Sequence, residues 1–324
     1  MPILIACSPS TGSSLLRRIL NRHSKVYCGP ETSLFAKKGL YEDWDNQKHN
    51  IFKRAFNGLP NLGWHHLIGV NLIEDTELTK ENIIDLVNES NSFTSFIDSY
   101  YKAIFKIVNK EVWVEKTPSN AFAVSYFLDL FPDGKVIHII RNPYDTIASL
   151  VNRGMSTYNA TAVYLLNVSQ VLNVRDKHKV MLVKYEDLVS NAQKCISNVC
   201  DFINVNFEST MLENSGNEKG IDHMDGWQYK ETQAVGNKSV GRFEKLTSKQ
   251  KNLMHTCIQN LRSQLETDCH SIENICNLLD YEFLSNNYQP TNLFWFKKDM
   301  IIDKVKRSFK NAFFKRKNYP LKWK

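Results

Sequence analysis

The clearest indication of the fold is the segment Leu4-Ile5-Ala6-Cys7-Ser8-Pro9-Ser10-Thr11-Gly12-Ser13-Ser14-Leu15-Leu16, close to the start of the 324-residue chain. Residues 1–7 form a continuous apolar run, which is typical of a strand buried on both faces of a parallel sheet. Residues 8–12 interrupt that run, and an amphipathic helical pattern begins at Ser13. A strand, a tight loop of small residues and a helix direct backbone N–H groups and a helix N-terminus at one point. This arrangement favours the binding of a phosphate or a sulfate.

The loop lacks the residues that a nucleoside triphosphatase needs. The pattern G-x-x-x-x-G-K-[ST] supplies a Lys to the outer phosphates and a hydroxyl to magnesium. Here Gly12 is followed by Ser13 instead of Lys, and the loop is shorter. A P-loop kinase is therefore the weakest of the functions considered. Taken alone, the loop is also compatible with an ordinary strand-to-helix turn.

A second apolar strand, Lys135-Val136-Ile137-His138-Ile139-Ile140, is followed by Arg141-Asn142-Pro143-Tyr144-Asp145-Thr146-Ile147-Ala148-Ser149. An Arg at a strand end can donate a forked, charge-assisted pair of hydrogen bonds to a phosphate. Ser149 follows two helical turns later and can add a hydroxyl donor. Alone, Arg141 would be interpreted as a solvated residue; with the first loop, it indicates a second phosphate contact.

These two segments together resemble the fingerprint of the sulfotransferases that use 3'-phosphoadenosine 5'-phosphosulfate (PAPS). The resemblance implies an α/β fold with three layers, α/β/α, around a central parallel sheet, of the P-loop-containing nucleoside triphosphate hydrolase-like sulfotransferase type. It also implies that the first loop binds the 5'-phosphosulfate and the second segment the 3'-phosphate. The residues assigned to cofactor binding in these segments are Ser10, Thr11, Gly12, Ser13, Ser14, Leu15, Arg141 and Ser149.

Two further strings resemble the catalytic positions of the same family. Cys28-Gly29-Pro30-Glu31-Thr32 is similar to the C-G-x-E-T string of the tyrosylprotein branch and many bacterial relatives, which implies that Glu31 is the general base. The alternative is that Glu31 occupies the first turn of a helix over residues 31–40, where the helix dipole favours a carboxylate. The string E-K-T-P at residues 115–118 implies that Lys116 reaches the sulfuryl oxygens at the ligand edge of the sheet.

Two segments further along the chain add expected cofactor contacts. The string Y-E-D-L at residues 185–188 resembles the family and places Tyr185 against the adenine or the 3'-phosphate. The segment Asn237-Lys238-Ser239-Val240-Gly241-Arg242-Phe243 is similar to the basic, Gly-containing segment that closes over the nucleotide. It assigns Lys238, Ser239 and Arg242 to the cofactor.

One position departs from the family pattern. Members usually carry Arg or Lys immediately before the S/T-G-[TS]-[TS] of the first loop, and this chain has Ser10. Either Lys116 and a neighbour such as Arg17 supply the missing charge, or the enzyme is weakened.

The resemblance as a whole implies in-line transfer of the sulfuryl group of PAPS to a hydroxyl acceptor (glycan, lipid, small metabolite or tyrosine) without a metal. A PAPS- or nucleotide-binding protein with weakened catalysis is the alternative.

Composition and charge limit the remaining possibilities. Residues 297–324 hold eleven Lys or Arg and two Asp, a net charge of +9, which leaves −2 for residues 1–296. We therefore expect a sulfotransferase domain over 1–296, a basic amphipathic tail over 297–324 and no nucleic-acid partner. Seven cysteines without a C-x-x-C pair and no apparent targeting segment predict a cytoplasmic protein. Oligomeric state is left open.

Hydrophobic periodicity predicts several long helices, and the tail has a pattern of its own. The amphipathic helices expected in the body cover residues 80–109, 156–178, 247–266 and 271–284. In the tail, apolar residues recur every four positions from Ile301 among many cations. Such a helix can lie on an anionic membrane, or its apolar face can pack on the body of the protein, and the sequence does not decide between the two.

Overall fold

The fold is described from a computed structural model, over residues 1–57, 78–213, 236, 239–261, 269–284, 294–302 and 305. At its centre, five parallel strands pair in the order β2-β3-β1-β4-β5. The strands are β1 (Pro2–Cys7), β2 (Val26–Tyr27), β3 (Val112–Lys116), β4 (Lys135–Ile140) and β5 (Val180–Lys184).

Helices cover both faces of this sheet, so the predicted three-layer α/β/α architecture is confirmed. The helices of the body are α1 (Ser13–Asn21), α2 (Lys38–Glu42), α3 (Trp44–Asn57), α4 (Lys80–Glu89), α5 (Phe93–Val108), α6 (Val124–Leu130), α7 (Pro143–Asn152), α8 (Thr157–Leu172), α9 (Tyr185–Ser190), α10 (Ala192–Phe202), α11 (Ser248–Leu261) and α12 (Ile272–Leu279). Short 3-10 helices lie at Pro118–Ala123, Lys177–Lys179, Ser209–Leu212 and Phe243–Lys245. A further helical segment covers residues 294–302.

The central strand β1 explains the layers, because its side chains alternate between the two faces. Ile3, Ile5 and Cys7 pack into the same core as α1, whereas Leu4 and Ala6 pack into the core on the opposite face. All five side chains are fully buried, as the continuous apolar run predicts.

The connections between strands place the ligand edge. From β1 the chain passes to β2 and β3 on one side, and from β4 it passes to β5 on the other. Ligands in open α/β sheets bind at the carboxyl ends of strands where the connections diverge in this way. The pairing register brings these ends together, since Ile5 lies opposite Lys116 and Cys7 opposite Ile139.

Several helix predictions are wrong in their bounds, and the helix expected over residues 271–284 ends at Leu279. The helix expected over residues 80–109 is divided into α4 and α5, because Ser92 caps the second helix by accepting a hydrogen bond from the backbone N–H of Ser95. Residues 31–37 are not helical, and α2 begins only at Lys38. Glu31 is therefore not held by a helix dipole.

The amphipathic helix expected over residues 156–178 is α8, and it differs from the prediction in its end and in its burial. The helix ends at Leu172 and is buried around most of its circumference rather than on one face. It lies against α7, α11 and the 3-10 turn Pro118–Ala123, so polar side chains within it bond back to the preceding turn. Thr161 Oγ1, for example, donates to the carbonyl of Thr157 over 2.8 Å.

Among the described residues, no helix combines the length and the apolarity that crossing a membrane requires.

Candidate functional site

The first loop presents a helix N-terminus without a side-chain cap. Gly12, with φ +93°, occupies the capping position of α1 and has no side chain to accept hydrogen bonds from the first turn. Thr11 Oγ1 donates to the carbonyl oxygen of Ser8 over 2.8 Å and thereby closes the loop on itself. The first N–H groups of α1 therefore point out of the loop with no cap from Gly12, which is the arrangement that binds phosphate or sulfate.

Tyr185, at the start of α9, joins this loop to the second segment. A Cβ atom at Gly12 would collide with the Tyr185 ring, so the loop approaches the ring as closely as only glycine permits. The guanidinium carbon of Arg141 lies 5.1 Å from the centroid of the same ring. Tyr185 is thus a buried support between the loop and Arg141.

Glu31 and Lys116 meet beside α1. Lys116 Nζ donates to Glu31 Oε1, and it lies 3.5 Å from Ser14 Oγ. The Lys116 side chain is 2% exposed and that of Glu31 is 35% exposed. A partly exposed carboxylate is therefore paired with a buried ammonium group at the end of β3, next to the first turn of α1.

A buried carboxylate that the sequence analysis did not single out holds this arrangement. Glu115 Oε1 accepts hydrogen bonds from the Thr32 hydroxyl over 2.8 Å and from Thr117 Oγ1 over 2.7 Å, and Oε2 accepts from Asn120 Nδ2. The backbone N–H of Thr32 also donates to Oε1 over 3.3 Å. Burial raises the pKa of Glu115, and these hydrogen bonds oppose the rise.

Thr117 adds a second tie between the same two segments. Its hydroxyl oxygen accepts a hydrogen bond from the backbone N–H of Ser33 over 3.1 Å. The backbone immediately after Glu31 is thus fastened at two residues to the end of β3 that carries Lys116.

The Glu31–Lys116 pair with Ser14 is one cluster of site residues, and a second cluster lies where β4 leads into α7. Arg141 donates from Nη1 to the carbonyl oxygen of Ser10 over 3.2 Å, and from Nη2 to the carbonyl oxygen of Ser239. Arg242 donates to Ser149 Oγ over 3.2 Å and to Ser239 Oγ over 2.9 Å. The structure therefore brings together five residues that the sequence assigned to the cofactor from three separate segments.

Asp145 positions the last of these segments. Its carboxylate accepts hydrogen bonds from the backbone N–H groups of Gly241, over 2.7 Å, and Phe243, over 2.8 Å. It also lies 3.5 Å from Arg141 Nη2. One buried carboxylate thus ties residues 241–243 to α7. Asp145 belongs to the R-N-P-x-D motif, but its place in the sequence does not indicate these contacts.

The polar groups of this cluster fit an anionic ligand. Burial lowers the pKa of Arg141, Asp145 opposes this effect, and the nearby charge of Arg242 adds to it. Two guanidinium groups so close together favour an anion between or beside them. In the described part of the chain, Ser10 Oγ and Arg141 Nε are buried without a hydrogen-bond partner, and the oxygens of a phosphate could accept from both.

The other predicted residues contribute in different ways. The Leu15 side chain belongs to the core beneath α1, so only its backbone can face a ligand, and Ser13 is also nearly buried. Arg17, considered as a substitute for a cation at position 10, is buried and donates to the carbonyl oxygen of Gly29 over 3.4 Å. It supports the turn before Glu31. Lys238 lies outside the described residues.

The chain belongs to the Sulfotransferase family, whose sequence profile matches residues 2–209. The sulfotransferase domain of the olefin synthase from Synechococcus PCC 7002 has a similar fold. The TM-score is 0.54 at 21% identity, with 87% of this chain and 96% of that domain covered.

Two curated relatives are much longer than the region that this chain matches. The chain is 25% identical over 142 residues to the nodulation protein NoeE of Sinorhizobium fredii, which covers 44% of this chain and 29% of that protein. It is 21% identical over 225 residues to a protein-tyrosine sulfotransferase of Drosophila melanogaster, covering 65% of this chain and 40% of that protein. The chain thus matches less than half the length of either relative.

Proposed function

We propose that the protein transfers the sulfuryl group of PAPS to a hydroxyl-bearing acceptor, with Glu31 as the general base. The observation that carries this proposal is the contact between Glu31 and Lys116 beside the uncapped N-terminus of α1. A proton acceptor, a buried cation and a set of free N–H donors are the three groups that sulfuryl transfer to a hydroxyl needs.

Each group has a distinct task in this proposal. When bound, PAPS supplies the sulfuryl group and leaves as adenosine 3',5'-bisphosphate. Glu31 takes the proton of the acceptor hydroxyl, which its partial exposure allows an acceptor to reach. Lys116 and Ser14, with the N–H groups of α1, donate to the oxygens on which negative charge grows. Lys116 also holds Glu31 in place before the acceptor arrives.

The second cluster supports PAPS as the donor rather than a nucleotide without a 3'-phosphate. Arg141, Ser149, Ser239 and Arg242 gather forked and hydroxyl donors around one point. Both Ser10 Oγ and Arg141 Nε could donate to an anion there. These donors match a phosphate monoester in number and charge.

Positive charge lies near the first loop even though position 10 is a serine and not a cation. Arg141 Nη1 reaches the backbone of residue 10 itself, and Lys116 lies near Ser14 two residues beyond Gly12. These contacts favour a working enzyme over a protein with weakened catalysis.

Transfer of radiolabelled sulfate from PAPS to a panel of glycan, lipid, small-metabolite and tyrosine-peptide acceptors tests the proposal. We expect the wild type to label one acceptor class and Glu31→Gln to lower turnover by about 10²–10⁴ while nucleotide binding changes little. Glu42→Gln is a matched control, because Glu42 also pairs with a lysine and is 34% exposed. Turnover of Glu31→Gln within a few-fold of wild type would refute Glu31 as the base, and no transfer by the wild type to any acceptor would refute the reaction.

A further inference from the structure

Residues 294–302 form a helix whose inner face is fixed to the body of the protein. Phe296 is 3% exposed, and its ring centroid lies 5.7 Å from that of Tyr158. Asp299 Oδ2 accepts a hydrogen bond from the backbone N–H of Tyr158 over 2.7 Å, at the start of α8. Met300 packs against the same core. These contacts determine which side of the helix faces outward.

The outer face of this helix exposes large apolar side chains. Phe294 is 60% exposed, Trp295 40%, Ile301 54% and Ile302 40%. At 100° per residue these four lie on one arc of the helix, opposite Phe296 and Met300. Val305, 63% exposed, continues the same arc one turn further on. We call these five residues the outer face.

Cations surround the aromatic end of the outer face. Lys249 Nζ, on α11, lies 4.3 Å from the Trp295 ring centroid, and Lys298 Nζ lies 5.0 Å from it. Lys298 itself falls on the same arc of the helix. The chain from residue 297 onward carries a net charge of +9, whereas the rest of the protein carries −2. The apolar surface thus overlaps the part of the sequence that carries the net positive charge.

We infer that the outer face binds the surface of an anionic membrane. A Trp and a Phe beside lysines, followed by aliphatic side chains on one helical face, match the interface of a bilayer, where apolar groups enter and cations remain at the head groups. Anionic head groups attract the basic segment that follows. A second copy of the chain is a poorer occupant, because pairing two such faces would bring two segments of charge +9 together.

Co-sedimentation of the full-length protein with vesicles tests this inference independently of the proposed reaction. We expect binding to phosphatidylcholine vesicles that contain phosphatidylserine, loss of binding as salt is raised, and little binding to phosphatidylcholine alone. The double variant Ile301→Asn/Ile302→Asn should lower binding at least about tenfold. Leu278→Asn, at a 57% exposed position of α12, is the matched apolar control and should bind as the wild type does.

The contribution of charge is tested separately. Lys249→Gln/Lys298→Gln should weaken vesicle binding by about tenfold or more, since each cation near an anionic surface contributes about fivefold. Lys102→Gln/Lys106→Gln removes two exposed charges from α5 and should have little effect. Equal vesicle binding by the wild type, the Ile301→Asn/Ile302→Asn variant and the Lys249→Gln/Lys298→Gln variant would overturn the inference. So would a dimer in solution that the Ile301→Asn/Ile302→Asn variant dissociates.

Discussion

Glu115 is a residue whose position depends on segments far apart in the chain. It lies in the strand segment V-W-V-E-K, where a charged residue next to Lys116 would ordinarily face water. Instead it is 1% exposed and accepts hydrogen bonds from both Thr32 and Thr117. Because Thr32 follows Glu31 directly, a change at Glu115 should move the proposed base relative to Lys116.

We therefore expect Glu115→Gln to act on turnover rather than on nucleotide affinity. The amide keeps the shape but is uncharged and has one acceptor atom where the carboxylate has two, so the hydrogen bonds that fix the Thr32 segment are weakened. Turnover should fall by about 10–100-fold, the size expected for a small misplacement of a catalytic group, with the Kd for adenosine 3',5'-bisphosphate within about twofold of wild type. Calorimetry and single-turnover transfer measure the two quantities.

The matched control for this variant is Glu111→Gln, just before the same strand, where the side chain is 68% exposed. It should leave both quantities unchanged. Equal loss of nucleotide binding and turnover in Glu115→Gln would mean that Glu115 only maintains the fold.

The sequence predicts which residues lie at the site better than it predicts their hydrogen-bond partners. Glu31, Lys116, Arg141 and Ser149 each lie in a motif whose spacing can be recognised, and the structure places them in two clusters at one sheet edge. Whether these residues perform the predicted tasks stays a prediction. The roles of Glu115 and Asp145 depend on donors from distant loops, and no local pattern indicates them.

The loop between β1 and α1 depends on one glycine for two reasons. Gly12 has φ +93°, and a Cβ atom there would enter the ring of Tyr185. Gly154 has a similar φ of +87°, but nothing lies within 4 Å of a Cβ atom at that position. Comparing substitutions at the two glycines therefore separates the cost of the positive φ from the cost of the contact with Tyr185.

We expect Gly154→Ala to lower the free energy of unfolding by about 1 kcal/mol, the cost of a left-handed backbone for a residue with a Cβ. Gly12→Ala should cost about 1–3 kcal/mol more, because Tyr185 must also move, and nucleotide binding should be largely lost. Urea unfolding and calorimetry measure these effects. Equal destabilisation by the two variants would show that the ring contact has no energetic weight.

The strands and the longer helices could be predicted because burial within a sheet or on one helix face produces a recognisable pattern of apolar residues in the sequence. The interruption between α4 and α5 had a signal in Ser90-Asn91-Ser92, which a continuous apolar pattern on either side obscured. No sequence signal indicates the burial of α8, since the helices that surround it come from several parts of the chain. The division at residue 297 stays a prediction, and it falls within the helix of residues 294–302.

For the whole molecule, the buried histidine of the central sheet sets part of the response to acid. His138, on β4, is fully buried, and its Nδ1 lies 2.9 Å from the carbonyl oxygen of Ala6. Burial lowers the pKa of His138 to about 4. Below the ordinary pKa of about 6.5 the unfolded chain binds a proton that the folded protein does not, so stability falls as the pH drops towards 4.

Between pH 7 and pH 5 this group alone should lower the free energy of unfolding by roughly 2 kcal/mol. His138→Gln, which can still donate to Ala6, should remove that part of the pH dependence, as measured by urea unfolding at both pH values. His178→Gln is the control, because the His178 side chain is 80% exposed. An unchanged slope in His138→Gln would show that the buried ring does not titrate as described.

We expect the Glu31–Lys116 pair with the first loop, and the cluster around Arg141, to bind the two ends of one nucleotide that carries a 3'-phosphate. Calorimetry with adenosine 3',5'-bisphosphate and with AMP tests this expectation and needs no knowledge of the acceptor. The charge-assisted contacts around Arg141 and Ser149 should favour the bisphosphate by about 2–3 kcal/mol, or about 30- to 150-fold in Kd. Equal affinity for the two nucleotides would contradict the assignment of this cluster and, with it, PAPS as the donor.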